Sequence, residues 1–177
     1  MADVTSEFSR PVRLDTLGEG ARALAVTANE AERAALTARF RIVAIGRLEA
    51  ETMLTRVGEA VEVSGRIVAD VVQACVASGE DVPQAIDEPF TLRFVPEQAA
   101  NGGDEEVELD EGELDELFYT GGSIDVGEAV AQTLALALDP YPRAAHAAQA
   151  LKAAGVKSEE EAKPAGALAG LKDLLKK

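Results

Sequence analysis

The sequence contains few of the residues that catalytic centres and metal sites use most often. Its 177 residues include one cysteine, one histidine and no tryptophan. A single cysteine cannot form a disulfide within the chain, which fits the reducing cytoplasm. A structural zinc site takes about four nitrogen or sulfur ligands, and one cysteine with one histidine cannot supply them. We therefore expect no disulfide, no bound metal and no other cofactor.

Long apolar segments are absent as well. A helix that crosses a membrane needs roughly 20 consecutive apolar residues, and the sequence has no such run. Residues 1–13 contain acidic side chains and lack the apolar centre of a secretory signal. Hydrophobic residues still make up 47% of the chain, which is enough for one packed core. We expect a cytoplasmic protein that does not associate with membranes.

No sequence motif for catalysis is present. The chain has neither a P-loop nor a dinucleotide-binding glycine pattern. Nucleophilic catalysis requires a base close to the nucleophile. His146 lies among alanines near the C-terminus, and Cys75 ends an alternating segment, where a small buried side chain is the favoured interpretation. We expect no catalytic residue and no small-molecule substrate, and an enzyme is the least favoured class of function.

Basic residues are scarce in the middle of the chain. The 17 Lys and Arg residues face 32 Asp and Glu residues, for a formal net charge of -15. Residues 61–140 hold two basic and nineteen acidic residues, whereas residues 141–177 hold seven basic and four acidic residues. Because phosphate binding requires clustered Lys and Arg, any contact with nucleic acid must use the ends of the chain.

Alternation of apolar and polar residues predicts an antiparallel sheet. Val61, Val63, Ile67 and Val71 alternate with polar residues, which is the period of a strand with one buried face. Short connections between such segments favour a meander of about five antiparallel strands. The predicted strands cover residues 8–14, 23–26, 40–56, 61–71 and 86–94.

Two helices are predicted to pack on this sheet, which gives the α+β class. Thr27 and Glu30 have the spacing of a capping box, and the helix after them, at 29–38, places four alanines on one face. Asp125 and Glu128 have the same spacing and begin the clearest helix of the sequence. Apolar residues at intervals of four predict its buried stripe: Val126, Val130, Leu134 and Leu138.

The segment 97–116 is rich in glycine and acidic residues, and its composition predicts a solvated, mobile loop. Its spacing does not match a calcium-binding EF-hand loop. The alternative is a clamp for a basic partner, formed by the acidic residues near its centre: Glu105, Glu106, Glu108, Asp110 and Glu111.

The chain is predicted to form one domain over residues 1–143. An Ala- and Lys-rich tail follows over residues 144–177. We expect this tail to combine a flexible segment at 157–163 with a short amphipathic helix at 167–175.

Several segments follow one another in an informative order. Residues 63–75 read VSGRIVADVVQAC, residues 90–95 read FTLRFV, and the acidic segment comes next. Residues 124–142 read IDVGEAVAQTLALALDPYP, and residues 163–172 read KPAGALAGLK. Together with Arg10-Pro11-Val12, this order resembles the YceD family of large ribosomal RNA subunit accumulation proteins over nearly the whole chain. The most specific part is the helix motif, which includes Ile124, Asp125, Glu128, Leu134, Pro140 and Pro142.

The sequence departs from that resemblance at two places. Many members of the family carry a Cys-x-x-Cys pair at the end of the central strand, whereas here Cys75 is followed by Ser78. The phenylalanine of the C-terminal motif is replaced at Ala165-Gly166. The resemblance implies a non-enzymatic role in the accumulation of large-subunit ribosomal RNA, and it implies no catalytic residue.

Two ways of fulfilling such a role are open. In the first, the acidic segment binds a basic ribosomal protein or a ribosome assembly factor, and ribosomal RNA is reached indirectly. In the second, the protein contacts RNA directly through the C-terminal lysines and four N-terminal arginines: Arg10, Arg13, Arg39 and Arg41. The strongly negative middle of the chain favours the first, because it is complementary to a cationic partner.

Overall fold

The alternating segments of the sequence become the strands of one large sheet. A computed structural model describes residues 6–18, 20–97 and 115–156. The strands in these residues are β1 Pro11–Arg13, β2 Arg22–Thr27, β3 Ala44–Val57, β4 Ala60–Ala74, β5 Asp81–Pro96, β6 Asp115–Tyr119 and β7 Ser123–Asp125. Five of them form the large sheet in the order β2-β3-β4-β5-β6, and β1 pairs with β7 in a separate ribbon.

The helices connect or follow these strands. Within the described residues they are α1 Glu30–Phe40, α2 Val126–Ala137 and α3 Ala147–Ala153, together with a 3₁₀ turn at Leu14–Thr16. The helix α1 links β2 to β3, and α2 follows β7 directly. The predicted α+β class is confirmed.

The predicted meander holds for four strands and is wrong for the fifth. The pairs β2–β3, β3–β4 and β4–β5 are all antiparallel. The strand β6 pairs with β5 in parallel, with Leu117 opposite Phe94. The sheet is therefore mixed, and its last strand lies partly within the segment 97–116 that was predicted to be an acidic loop.

The first predicted strand is shorter than expected and belongs to the other sheet. Its paired residues are Pro11–Arg13, and Val12 lies opposite Ile124 of β7. Phe8, which contributed to the strand pattern, lies outside the strand and is fully buried. Phe8 is therefore apolar because it packs in the core, and not because it pairs in a strand.

The core lies on one face of the large sheet, here called the inner face. On β4 its residues alternate as predicted, with Val63, Ile67 and Val71 buried. The helix α2 packs into the same cluster through residues that are fully buried, namely Val126, Val130 and Leu134. Leu138, the fourth residue of the predicted stripe, is only partly buried because α2 ends at Ala137 and Leu138 is its C-cap.

The N-terminal boundary of α1 differs from the prediction. The N-cap is Asn29, whose side chain accepts a hydrogen bond from the backbone N–H of Glu32 at 3.0 Å. The Glu32 carboxylate accepts in turn from the Asn29 backbone N–H at 2.8 Å, which completes a capping box. Thr27 is the last residue of β2 and takes no part in it. The buried residue of α1 is Leu36, since a large apolar side chain fills the core better than the alanines do.

The C-terminal part of the chain is described as far as Val156. It contains α3, whose first residue, Ala147, is buried. The expected flexible segment at 157–163 and amphipathic helix at 167–175 lie outside the described residues, and the domain boundary after residue 143 stays a prediction. In the described part of the chain, no helix is long and apolar enough to cross a membrane.

Candidate functional site

Asp125 joins the N-terminal segment to the start of α2. As the spacing predicts, its side chain caps the helix by accepting a hydrogen bond from the Glu128 backbone N–H at 3.1 Å. The same Oδ1 atom accepts from the Arg10 backbone N–H at 2.7 Å, and the Ser9 hydroxyl donates to Oδ2. One carboxylate therefore stabilises both the helix terminus and the chain that crosses it.

Glu128 does not complete a capping box and binds Arg39 instead. Its two carboxylate oxygens accept hydrogen bonds from the Arg39 guanidinium at 2.7 and 2.9 Å. The Ser6 hydroxyl and the Gln132 amide also donate to it. The bonds from Arg39, followed by those from Ser6 and Gln132, lower the pKa of Glu128 to about 2. Charge-assisted bonds of this kind are stronger than a bond to a neutral backbone amide.

Arg10 is held in a similar way on the other side of the N-terminal segment. Its guanidinium donates two hydrogen bonds to the Glu32 carboxylate, at 2.7 and 2.9 Å, and a third to the Thr27 carbonyl. It also lies 4.6 Å from the centre of the Phe8 ring. The bond from Arg10 lowers the pKa of Glu32. These contacts attach the first described residues to α1.

The four arginines predicted to contact RNA therefore fall into two groups. Arg10 and Arg39 are bound within the fold by Glu32 and Glu128. Arg13 pairs with Asp15, but its side chain is 73% exposed. Arg41 is exposed at the left-handed C-cap of α1, and it forms no ion pair within the described residues.

Gly127 makes room for the N-terminal segment and was not singled out from the sequence. A Cβ atom at this position would lie 2.9 Å from the Arg10 backbone nitrogen and 3.0 Å from the Phe8 carbonyl carbon. Both neighbours are backbone atoms, so neither can move away cheaply. A glycine in the first turn of a helix is unfavourable by itself, which is the signal that could have identified this close approach.

Exposed acidic residues occur at two places on the hairpin formed by β4 and β5, at its turn and seven residues further along β5. Glu80, Asp81 and Glu88 are exposed and form no ion pair in the part of the chain that the structure describes. The pair between Arg66 and Asp87 joins the two strands on the outer face of the sheet, opposite the core. The predicted acidic clamp at 105–111 lies outside the described residues. The hairpin that precedes it carries an acidic surface of its own.

A hollow of about 700 Å³ lies on the outer face of the sheet. Two cross-strand rows border it, one running from Ala23 through Met53 and Ser64 to Thr91. The other row includes the exposed side chains of Glu51 and Arg66, and Arg66 is paired with Asp87. The hollow therefore offers a mostly small and apolar surface for contact, with one carboxylate and one ion-paired guanidinium on its border.

Cys75 is buried at the turn that follows β4. The backbone N–H of Ala144 donates a hydrogen bond to its Sγ atom, with 3.3 Å between nitrogen and sulfur. This bond, followed by the contact with Ser78, lowers the pKa of the Cys75 thiol to about 7. The adjacent Val76 backbone N–H donates to the Pro142 carbonyl at 2.9 Å. The cysteine thus lies where the chain after α2 docks against the sheet.

Two glutamines from the sheet bind the C-terminal end of α2. The Gln84 amide donates to the Ala137 carbonyl at 3.2 Å, and the Gln73 amide donates to the Asp139 carbonyl at 2.9 Å. The last carbonyl groups of a helix have no partner within the helix, so these bonds stabilise its end. The sequence signal for Gln73 is a polar residue on the otherwise apolar side of β4, whereas Gln84 shares its side of β5 with Glu88 and gave no such signal.

Residues 63–175 match the family model described as large ribosomal RNA subunit accumulation protein YceD. The chain belongs to the YceD family. The match begins on β4 and includes the hairpin, the turn at Cys75 and the whole of α2. No curated protein and no solved structure matches the chain.

The YceD-family motif at 124–142 corresponds to a helix held at both ends. Ile124 is buried on β7, Asp125 is the N-cap, and Leu134 is fully buried in the core. Pro140 is exposed, whereas Pro142 is buried beside the Cys75 turn. The N-terminal partners of this helix, Arg10 and Arg39 among them, precede the matched region.

The family's second cysteine has no counterpart here, because Ser78 occupies its position. Among residues 6–18, 20–97 and 115–156, no group of three or more His, Cys, Asp or Glu side chains is placed to hold a metal ion. His146 is exposed just before α3 and makes no capping bond. That the protein needs no metal stays a prediction.

Proposed function

We propose that this YceD-family protein is a non-enzymatic factor in the accumulation of large-subunit ribosomal RNA, and that it binds a basic ribosomal protein or assembly factor through its acidic side. The family relates the chain to ribosome biogenesis. The observation that carries the mode of action is the set of exposed, unpaired carboxylates on the β4–β5 hairpin. They precede the acidic segment 97–116 in sequence, with the mainly apolar residues 89–96 between them, and residues 61–140 as a whole hold two basic and nineteen acidic residues.

The cations of the fold support the same conclusion. Arg10 and Arg39 neutralise carboxylates within the molecule, so two of the residues that would favour RNA are not free to leave their partners. The hairpin acids have no such neutralisation among the described residues. Complementary charge accelerates the encounter of two proteins and determines their relative orientation. A basic ribosomal protein fits this surface.

A non-enzymatic role is supported by the surroundings of the two reactive side chains. The Cys75 side chain is 3% exposed, and its sulfur accepts a hydrogen bond from the Ala144 backbone N–H. His146 is exposed on another segment, and no hydrogen bond joins it to Cys75 within the described residues. A nucleophile without a base in reach is poorly suited to covalent catalysis. Turnover of a substrate that is lost in Cys75→Ala or His146→Ala would contradict this part of the proposal.

The partner can be tested by capture from a bacterial lysate, with and without RNase, followed by mass spectrometry. We expect ribosomal proteins or assembly factors to remain bound after RNase treatment. The double variant Glu80→Gln with Glu88→Gln, and the set Glu105→Gln, Glu106→Gln, Glu108→Gln and Asp110→Asn, should each weaken capture. The loss should be larger at low salt, since salt screens exposed charges.

Matched controls separate the hairpin surface from net charge. Glu30→Gln with Glu59→Gln removes the same two charges from exposed positions on α1 and on the β3–β4 turn. This control should bind like the wild type. Capture that disappears with RNase would instead indicate direct RNA binding, and the absence of any ribosomal component would contradict the function itself.

A further inference from the structure

Three arginines from three different strands meet at the 3₁₀ turn Leu14–Thr16. Arg13 ends β1, Arg22 begins β2, and Arg56 is close to the end of β3. We call them the arginine cluster. Their positions are separated by up to 43 residues in sequence, so the fold and not local composition brings them to one turn.

Hydrogen bonds to the turn hold each member of the cluster in place. The Arg56 guanidinium donates to the Leu14 carbonyl at 3.2 Å and to the Gly58 carbonyl at 3.1 Å. The Arg22 guanidinium donates to the Thr16 hydroxyl at 3.2 Å, and that hydroxyl donates to the Arg13 carbonyl at 2.7 Å. Since a guanidinium has five N–H donors, each of these side chains keeps donors for a ligand.

The charge of the cluster is only partly neutralised. Arg22 and Arg56 form no ion pair within residues 6–18, 20–97 and 115–156. Arg13 pairs with Asp15, but the two side chains are 73% and 61% exposed. Ion pairs with that exposure contribute little and exchange easily with other partners. In a chain with a net charge of -15, this turn is therefore a local positive surface.

Two surface hollows adjoin the cluster and share Arg13. One has a volume of about 540 Å³ and is lined by Arg13 and Arg56, together with Asp15, the ion-pair partner of Arg13. The second has a volume of about 370 Å³ and is lined by Arg13 and Arg22, together with Arg10, whose guanidinium is bound to Glu32. The arginines thus border concave surface on both sides of the turn, where successive anionic groups of one ligand can be bound.

We propose that the arginine cluster binds the phosphate backbone of RNA. Guanidinium groups donate pairs of parallel hydrogen bonds to phosphate oxygens, and Arg is the preferred residue for this contact. The negative charge of the middle of the chain repels a polyanion and so directs it to the turn where Arg22 and Arg56, which form no ion pair within the described residues, lie beside Arg13. The inference does not depend on a protein partner for the acidic side. It assigns RNA binding to Arg13, Arg22 and Arg56. Arg10 and Arg39 are excluded because their guanidinium groups are bound to carboxylates of the fold.

The test measures binding of a fluorescent transcript of large-subunit ribosomal RNA by anisotropy over a series of salt concentrations. Arg22→Gln with Arg56→Gln should weaken binding by about 10-fold or more at low salt, because two phosphate contacts are lost. The slope of log affinity against log salt should fall by about 1.4–1.8. The control Arg47→Gln with Arg66→Gln removes the same charge from exposed, ion-paired arginines of the outer face and should lower affinity by less than about 3-fold.

A second variant protects the test against a folding defect. Arg22→Lys with Arg56→Lys keeps the charge but not the paired guanidinium donors, so it should restore the salt slope and part of the affinity, and both doubles should melt close to the wild type. A Gln double that melts well below the wild type would assign the loss of binding to structure and overturn the proposal. The same holds if the outer-face control loses as much affinity, if the wild type does not bind the transcript, or if polyglutamate competes as well as unlabelled RNA, which would point to an acidic protein.

Discussion

The two faces of the large sheet differ although the same strands form both. On β4, Val63 and Ile67 point into the core and are fully buried, whereas Ser64 and Arg66 between them are exposed. The inner face is covered by α1 and α2 and contains the apolar residues that drive folding. The outer face carries exposed charges. The comparison indicates that stability comes from one face and that the other is free for recognition.

Ion pairs repeat this difference between the faces. Arg39 and Glu128 bind each other beside α2, with side chains 33% and 23% exposed. Arg66 and Asp87 bind each other on the outer face, with side chains 56% and 57% exposed. Water and salt screen the second pair far more than the first. We therefore expect the helix side of the molecule to be sensitive to substitution and the outer face to be tolerant.

The largest effect is expected for Leu134→Ala on the inner side of α2. Leu134 is fully buried, and removal of a buried leucine side chain leaves a cavity and costs about 2–5 kcal/mol. The free energy of unfolding by urea measures this cost. Leu136→Ala is the control on the same helix. Leu136 is 81% exposed, so this variant should unfold like the wild type. Equal stability of the two variants would show that α2 does not pack as described.

A smaller loss is expected for Gly127→Ala, which tests the crossing of the N-terminal segment over α2. The added methyl group would meet the backbone of Phe8 and Arg10, and overpacking of this kind costs about 1–3 kcal/mol. Gly122→Ala serves as the control, since a Cβ atom there has no neighbour within 4 Å. Thermal melting followed by circular dichroism compares the two. Tolerance of alanine at position 127 would mean that the N-terminal segment does not lie against the helix.

The ion pair of Arg39 with Glu128 should contribute a pH-dependent share of stability. Because the pKa of Glu128 is lowered from 4.5 to about 2, its contribution is present above pH 4.5 and is lost as the pH falls towards 2. Arg39→Gln should lower the free energy of unfolding at pH 7 by about 1–2 kcal/mol, after allowance for partial exposure. The difference from the wild type should shrink between pH 4.5 and 2 in urea titrations. If the stability difference between variant and wild type stays constant over that range, the lost stability comes from packing of the aliphatic part of Arg39 and not from its ion pair.

The sequence predicted those features in which periodicity reports burial directly. The alternation around Val63 and the spacing of Val126, Val130 and Leu134 required no knowledge of partners. The strand at Asp115–Tyr119 was missed because its first residues continue an acidic run, and its parallel pairing depends on how the chain returns. The capping box of Asn29 with Glu32 was missed because Thr27 and Glu30, two residues earlier, have the same spacing.

The candidate site was harder to predict because its partners are distant in sequence. Arg39 and Glu128 are 89 residues apart, and Arg10 and Glu32 are 22 apart. Composition identifies such arginines as cations and gives no sign that a carboxylate holds them. For the same reason Arg22 and Arg56 were not selected, although the fold places both at one exposed turn. The charged residues could be counted from the sequence, but it could not be predicted which of them form ion pairs.

The smallest effect is expected for Arg66→Gln on the outer face, and it is the sharpest test of the difference between the two faces. The guanidinium and the Asp87 carboxylate are both exposed, so water already screens their attraction and the pair has little free energy to lose. We expect the thermal midpoint to stay within about 2 °C of the wild type, and the remaining difference to vanish in added salt. Arg39→Gln should keep most of its effect in the same salt, because its pair is less exposed. If Arg66→Gln destabilises the protein as much as Arg39→Gln does, the outer face contributes to folding like the inner one, and its charges are retained for stability and not for a partner.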